Sequence, residues 1–326
     1  MKKPFIILSI LLCIVLGLLW SVKHDKKIIQ QNVAGEKIEN KEVASNTTST
    51  PEVKITFLDV GQGDASFIEF PDGEQMLVDC SIDARIIEAL GRVMPYYDRD
   101  IDYMLITHPD SDHYGGCIDV LKRFDVKHVV YNGLQKEKEQ YWNEFMKAAK
   151  DEAGSQYIEL TKEDIWNIAS SSLHFLYPDH SLKQDPKIPG DTKETNTNNS
   201  SIVFTLAYGT NSVLFTGDME TPLEQYLMRV YGKQLDSDIL KVGHHGSDSS
   251  SMQEFLDIVT PQKAVISVGT GNTFGHPSRR VLKRLDREGS NVLRTNIEGD
   301  VVVKLSANSS QPIVEENKHN NQMYVE

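Results

Sequence analysis

The chain has 326 residues, 39% hydrophobic and 25% charged, enough to bury a sizeable core in one large domain or two ordinary ones. Its net charge of −13 is unevenly spread. Residues 1–27 hold five lysines against one aspartate and residues 28–50 two lysines against three glutamates, which leaves about −16 on the remainder and argues against a generally adhesive nucleic-acid surface. Three cysteines without a CxxC pair argue against a disulfide-rich framework.

From the N-terminus, Lys2 and Lys3 precede an uncharged apolar run over residues 5–22, about eighteen residues and just long enough to cross a bilayer. No small-residue A-x-A site follows, and Cys13 lacks the small residues that precede a lipoprotein cysteine. An uncleaved membrane anchor is therefore expected over residues 1–27, with a cleaved signal and secretion as the alternative. The expected orientation is N-in and C-out with the folded part extracellular, although Lys23, Lys26 and Lys27 put positive charge on the far side as well. Residues 28–52, rich in Lys, Glu, Asn, Ser and Thr, read as a disordered linker. Residues 309–326 have the same character and read as a disordered tail, with His319 solvated.

Between these, residues 53–308 form the expected folded domain. Apolar runs predict strands over 54–58, 65–70, 75–78, 103–106, 128–131, 173–176, 202–207, 212–215, 239–242, 264–268 and 301–305. Helical periodicity predicts helices over 84–93, 117–124, 137–150, 222–231, 251–258 and 278–287. Early strands meet in tight turns such as Pro71-Asp72-Gly73 and later ones are separated by helices. That order predicts an α/β fold of two mixed β-sheets packed face to face and flanked by helices. Cys80 and Cys117, beside an apolar strand and on an apolar helix face, are expected as small buried thiols.

Side chains that carry chemistry collect at the ends of these strands. Directly after the apolar segment 101–106, THPDSDHYGG places His108, Asp110, Asp112 and His113 within six positions. In an extended chain residues two apart point the same way, so His108 and Asp110 can reach one ion while Asp112 and His113, where the chain turns, serve a second. Gly115 and Gly116 are expected to clear space where the next helix starts close to the ions. Asp59 and Asp64 bracket the glycine loop of LDVGQGDA. Asp79 ends strand 75–78, where it is expected to orient neighbouring backbone. Asp218 follows strand 212–215 in FTGD, and its two oxygens can bridge two cations. KVGHHGS presents His244 and His245, whose side chains diverge, so one is expected as a ligand and the other beside it or facing substrate. His276, in FGHPS, extends the same positional series. A lone strand-end Asp or His is usually a turn or cap residue, but this density, repeated at several strand ends, favours metal. His24, His128, His174 and His180 lack such company.

In this order and spacing LDVGQGDA, LVDC, THPDSDHYGG, FTGD, KVGHHGS and GHPS resemble the motifs of the metallo-β-lactamase superfamily. Within it, the resemblance is to the C-terminal hydrolase domain of ComEC-type DNA-uptake proteins and its stand-alone relatives, over about residues 53–305. The resemblance implies an αββα sandwich with metals at one edge between the sheets. It implies His108 and Asp110 on one ion, Asp112, His113 and His244 on the other, and Asp218 bridging, with Asp59, Asp64, Asp79, Asn199 and Ser201 in support. Two positions depart from many members of the family. Asp110 stands where a histidine is common, and the segment Thr197-Asn198-Asn199-Ser200-Ser201 stands where a further histidine is common. One half of the site is thereby richer in oxygen, which makes manganese credible beside zinc and weakens a lactamase reading.

The expected protein is a metal-dependent hydrolase with two divalent ions, Zn or Mn, that generate hydroxide at neutral pH. Its expected substrate is an anionic phosphodiester, DNA or a nucleotide, which makes it a phosphodiesterase or nuclease tethered to the membrane. His245, His276 and Asp218 are the expected catalytic groups. Arg279 and Arg280, beside His276 on helix 278–287, are expected to meet the substrate anion. The alternatives are a thioesterase or lactamase type of hydrolase, and a tethered binding protein without chemistry. A single apolar run cannot build a channel, so only the hydrolase part of the DNA-uptake role is expected.

Overall fold

The computed structural model describes residues 51–152 and 154–317. The expected anchor, most of the linker and the end of the tail, with Cys13, His24 and His319, lie outside the described residues. None of the helices among the described residues is long and apolar enough to cross a membrane. The elements are β1 (Glu52–Phe57), β2 (Ser66–Glu69), β3 (Gln75–Val78), α1 (Arg85–Val93), β4 (Asp100–Ile106), α2 (Ser111–Tyr114), α3 (Cys117–Leu121), β5 (Asp125–Tyr131) and α4 (Gln140–Asp151). They continue as β6 (Gln156–Glu159), β7 (Asp164–Ile168), β8 (Ser171–Tyr177), β9 (Val203–Tyr208), β10 (Asn211–Phe215), α5 (Thr221–Tyr231), β11 (Ile239–Lys241) and α6 (Gln253–Val259). The last are β12 (Lys263–Ile266), α7 (Arg279–Glu288), β13 (Asn291–Arg294), α8 (Thr295–Glu298), β14 (Asp300–Ser306) and β15 (Ile313–Asn317).

Strand alternation divides the apolar side chains between layers. Val53, Ile55 and Phe57 of β1 and Met76 and Val78 of β3 join Phe175, Phe204, Val213 and Phe215 of the other sheet in one core. Phe57 and Phe215 stack across it with ring centroids 5.8 Å apart, and each such buried side chain contributes about 2 kcal/mol. On the opposite face of β3, Leu77 packs in a second core with Ile86, Leu90, Val120, Trp142 and Phe145, from α1, α3 and α4. Leu214 and Leu240 share a third with Leu223, Leu227, Leu256, Val281 and Leu285, from α5, α6 and α7. The result is the αββα sandwich. One sheet runs β15-β14-β1-β2-β3-β4-β5-β6 and the other β13-β12-β11-β10-β9-β8-β7. β3 to β6 are mutually parallel, as are β10 to β13, so each run delivers its strand ends to one edge.

Three features differ from the sequence expectations. The tail expected to be disordered from residue 309 continues as β15, antiparallel to β14. Cys80 and Cys117 form a disulfide rather than a pair of thiols, with Cα atoms 5.2 Å apart. Gly115 and Gly116 are required by a close approach of backbone to backbone. A Cβ on Gly115 would lie 2.1 Å from the Ile82 carbonyl oxygen, and one on Gly116 2.2 Å from that of Cys80. The chain leaving β3 crosses directly over the loop leaving β4, and the disulfide closes the same crossing.

Candidate metal centre

The strand ends of both sheets converge on a buried cluster of histidines and carboxylates. Past β4 the chain bends through His108, and the single turn α2 brings His113 back beside it, with ring centroids 4.1 Å apart. Asp79, at the end of β3, accepts hydrogen bonds from the Thr107 amide (2.8 Å) and hydroxyl (2.7 Å). The same carboxylate lies 2.8 Å from His113 Nδ1. This holds the ring proton on Nδ1 and aims Nε2 at Asp218 Oδ2, 3.3 Å away. Asp218 is fixed from behind, its amide donating to Ser201 Oγ at 2.9 Å.

His244 and His245 both take left-handed backbone, with φ of 48° and 52°, a conformation rare for residues with a side chain. It sends the two rings apart. His245 turns inward: Nδ1 donates to the Ser267 carbonyl (3.0 Å), and Nε2 lies 3.2 Å from Asp112 Oδ2 and 3.4 Å from Asp218 Oδ2. His244 stays partly exposed, its Nδ1 3.2 Å from Glu220. Combinations whose ligand atoms lie within 4.8 Å of one another are His108, His113 and Asp218; Asp112, His113 and His245; Asp64, Asp218 and His245; and Asp64, Asp79 and His113. Because they share His113, Asp218 and His245, they describe one continuous centre. Neither His244 nor Asp110 belongs to any of them.

The chemistry of this donor set fits a divalent cation. His108 Nε2, His113 Nε2, Asp218 Oδ1 and Asp64 Oδ1 are buried without a hydrogen-bond partner, an arrangement that costs about 1–3 kcal/mol for each group left without compensation. Burial would lower the pKa of His245, but the Asp218 and Asp64 carboxylates push it up to about 10. Burial likewise opposes a proton on His113, yet Asp218 and Asp79 raise its pKa well above the usual histidine range. Asp218 is held well below the carboxylate range, its burial outweighed by His245 and His113. A field that draws protons onto two buried imidazoles also draws a metal cation.

The remaining predicted residues surround this centre. Asp110 Oδ2 is 3.4 Å from His108 Nε2 and accepts the Thr197 hydroxyl at 2.7 Å, while Lys136 Nζ lies 2.7 Å from its Oδ1. Asp64 is paired at 2.5 Å with the buried Lys241 ammonium, and its Oδ1 lies 3.4 Å from His245 Nδ1. Asp59 is apart from the cluster and shapes its loop, accepting the Gly61 amide at 3.2 Å. Asn199 receives the Glu220 amide through Oδ1 at 3.0 Å. His276 meets the His244 ring edge-on at 5.5 Å. Burial, His244 and His245 together lower its pKa. Arg280 is held by Asp248 at 2.5 Å, while Arg279 is exposed and makes no ion pair among the described residues.

Sequence reasoning passed over Lys136, Glu220 and Lys241. Lys241 stands inside KVGHHGS, where a lysine within an otherwise apolar strand was the available signal. Glu220 binds His244 and the Asn196, Asn198 and Asn199 amides. Burial would raise its carboxyl, but the hydrogen bond with His244 and those with its polar neighbours bring it down to about 2.

Comparison with known proteins agrees with this architecture. Residues 58–270 match the Metallo-beta-lactamase superfamily. ComE operon protein 3 of Bacillus subtilis is 31% identical over 268 residues, 77% of this chain and 33% of that protein. Recombination protein 2 of Haemophilus influenzae is 31% identical over 259 residues, 78% of this chain and 29% of that protein. The chain thus spans about a third of the length of the curated relatives it matches. Among solved structures, the metallo-beta-lactamase fold protein YhfI of Bacillus subtilis superposes with a TM-score of 0.50 at 10% identity, covering 78% of this chain and all of that one. At that identity the likeness concerns the fold alone.

Proposed function

Starting from a chain that belongs to the metallo-beta-lactamase superfamily, we propose that it is a metal-dependent phosphodiesterase acting on nucleic acid or nucleotide esters from outside the cell membrane. The observation that carries the hydrolase reading is the set of buried ligand-type atoms on His108, His113 and Asp218 that lack a hydrogen bond. Asp112, His113, Asp218 and His245 would hold the tighter ion. His108, with Asp218 and Asp110, would hold a weaker one, because Lys136 competes for Asp110. On this reading His245 takes the ligand role that family resemblance gives to His244. A divalent ion held by these residues would supply Lewis acidity, lowering the pKa of water from about 15.7 towards about 7.

The chain's own groups do the rest. Asp79 keeps the His113 proton on Nδ1, and Ser267 does the same for His245, so both Nε2 atoms face inward. His276, with its lowered pKa, is neutral at pH 7 and offers a ring N–H to the departing oxygen. Arg279 offers an exposed guanidinium to a flanking phosphate. A phosphodiester suits a candidate metal centre with the exposed Arg279 on the neighbouring helix, and the name of the Haemophilus relative, a recombination protein, points to nucleic acid as the class. The Cys80–Cys117 disulfide supports the extracellular assignment, since disulfides persist in oxidising compartments.

The test is metal content of the purified chain, followed by hydrolysis of bis-p-nitrophenyl phosphate with added Mn²⁺ or Zn²⁺. Bound metal and turnover lowered at least about a hundredfold by Asp218→Asn and His113→Ala are expected. A chain that binds no metal, or turns over equally without Asp218, overturns the reading.

A further inference from the structure

The loop between β12 and α7 carries Phe274, a large aromatic that is 68% exposed. One side chain cross-braces that loop. Asn272 Nδ2 donates to the Gly269 carbonyl (3.1 Å) and the His276 carbonyl (2.8 Å), and the His276 amide donates back to Asn272 Oδ1 (3.0 Å). The Phe274 ring lies nearly parallel to His276, with an interplanar angle of 14° and centroids 5.9 Å apart. His276 meets His244 at 5.5 Å, and His244 meets His245 at 6.2 Å. A row of rings thus runs from solvent to the metal centre, and its outermost member keeps one face open.

We propose that Phe274, backed by His276, is a stacking ledge for a nucleobase next to the scissile phosphate. The proposal rests on the phosphodiesterase reading and narrows its substrate to base-bearing esters. Every nucleobase has a π-face, and an exposed aromatic on a braced loop beside the site binds any of them by stacking. Arg279, five positions along, is available to the adjoining phosphate, whereas Arg280 is held by Asp248. A quaternary ammonium would require rings set at an angle around it, and this near-parallel pair offers a single flat face instead.

The test compares kcat/KM for thymidine 5′-(p-nitrophenyl phosphate) and methyl p-nitrophenyl phosphate, which share a leaving group and differ by the nucleoside. In Phe274→Ala the ratio of the two is expected to fall roughly 5- to 100-fold, and in Phe274→Trp to be retained. A ratio that stays within about twofold in Phe274→Ala overturns the ledge. If wild type hydrolyses neither ester, the phosphodiesterase reading fails, and the ledge is decided separately by the emission of Phe274→Trp with the wild-type signal subtracted. Quenching by oligothymidylate and not by an abasic strand of equal length supports stacking. An equal response to both strands, or a response to tetramethylammonium alone, overturns it.

Discussion

Lys241 is 3% exposed and its ammonium sits against Asp64, within a cluster that also holds Asp112 and Asp218. Burial would raise the Asp64 carboxyl, but Lys241 and then His245 hold it far below its usual range. Replacing Lys241 by Met would leave the buried Asp64 carboxylate with His245 as its remaining cationic neighbour, a change expected to cost up to about 3–5 kcal/mol. Because bound metal restores a positive charge nearby, urea denaturation should show added Mn²⁺ or Zn²⁺ stabilising Lys241→Met more than wild type; equal stabilisation would count against this role. Glu224 gives a pH signature. Burial on α5 pushes its carboxyl from 4.5 up to about 8, against the opposing amides of Met252 and Ser251. Between those values the folded state holds a proton that the unfolded state has released, so stability falls as pH rises from about 4.5 to about 8. Thermal unfolding of Glu224→Gln across that window should show a flatter profile than wild type.

At the level of elements, the strands that sequence patterning missed are β6, β7, β13 and β15, and each is the edge of its sheet. β6 and β7 read QYIE and DIWNI, and β15 reads IVEEN. Edge strands keep one backbone flank in solvent and carry polar side chains that discourage further pairing, so their apolar period is weak. The inner strands, buried on both faces or packed on a core, were legible because that burial demands apolar runs. The disulfide acts at this scale too. The Cys80 amide donates to the His113 carbonyl at 2.6 Å, and the Gly116 amide to that of Ser81 at 3.1 Å, so the bridge ties the end of β3 to the loop carrying Asp112 and His113. Closing a loop across a sequence separation of 37 is expected to contribute about 4 kcal/mol by loop entropy. The double variant Cys80→Ser, Cys117→Ser should lose about that much stability in denaturant and bind metal more weakly; unchanged metal affinity would show that the bridge does not order the loop.

For the whole molecule, the centre is a junction of two sheets. One sheet contributes His108, Asp112 and His113 and the other Asp218 and His245, so a cation bound there ties the layers together. Metal removal by chelator should therefore lower the melting temperature of the entire domain in a single transition. A chelator that leaves the melting temperature unchanged would show the sheets to be held by their apolar core alone. The proposed tether is checked on intact cells with an added protease. Cleavage of the folded part without permeabilisation is the expected outcome, and protection would place it inside.

The sequence by itself determined the αββα class and named most residues that meet in the candidate metal centre, because His108, Asp112 and His113 crowd one loop and Asp218 closes another strand. Local spacing was enough for these, since each follows an apolar run whose burial forces the next residues to the sheet edge. Tertiary structure decided what depends on backbone torsion and distant partners. Consecutive left-handed residues turn His245 inward and His244 toward Glu220, a choice invisible in the dipeptide. Lys136 meets Asp110 across 26 positions, and Cys80 meets Cys117 across 37. No periodicity records such meetings, because they arise only when the loops of β3, β4 and β5 are brought to one edge.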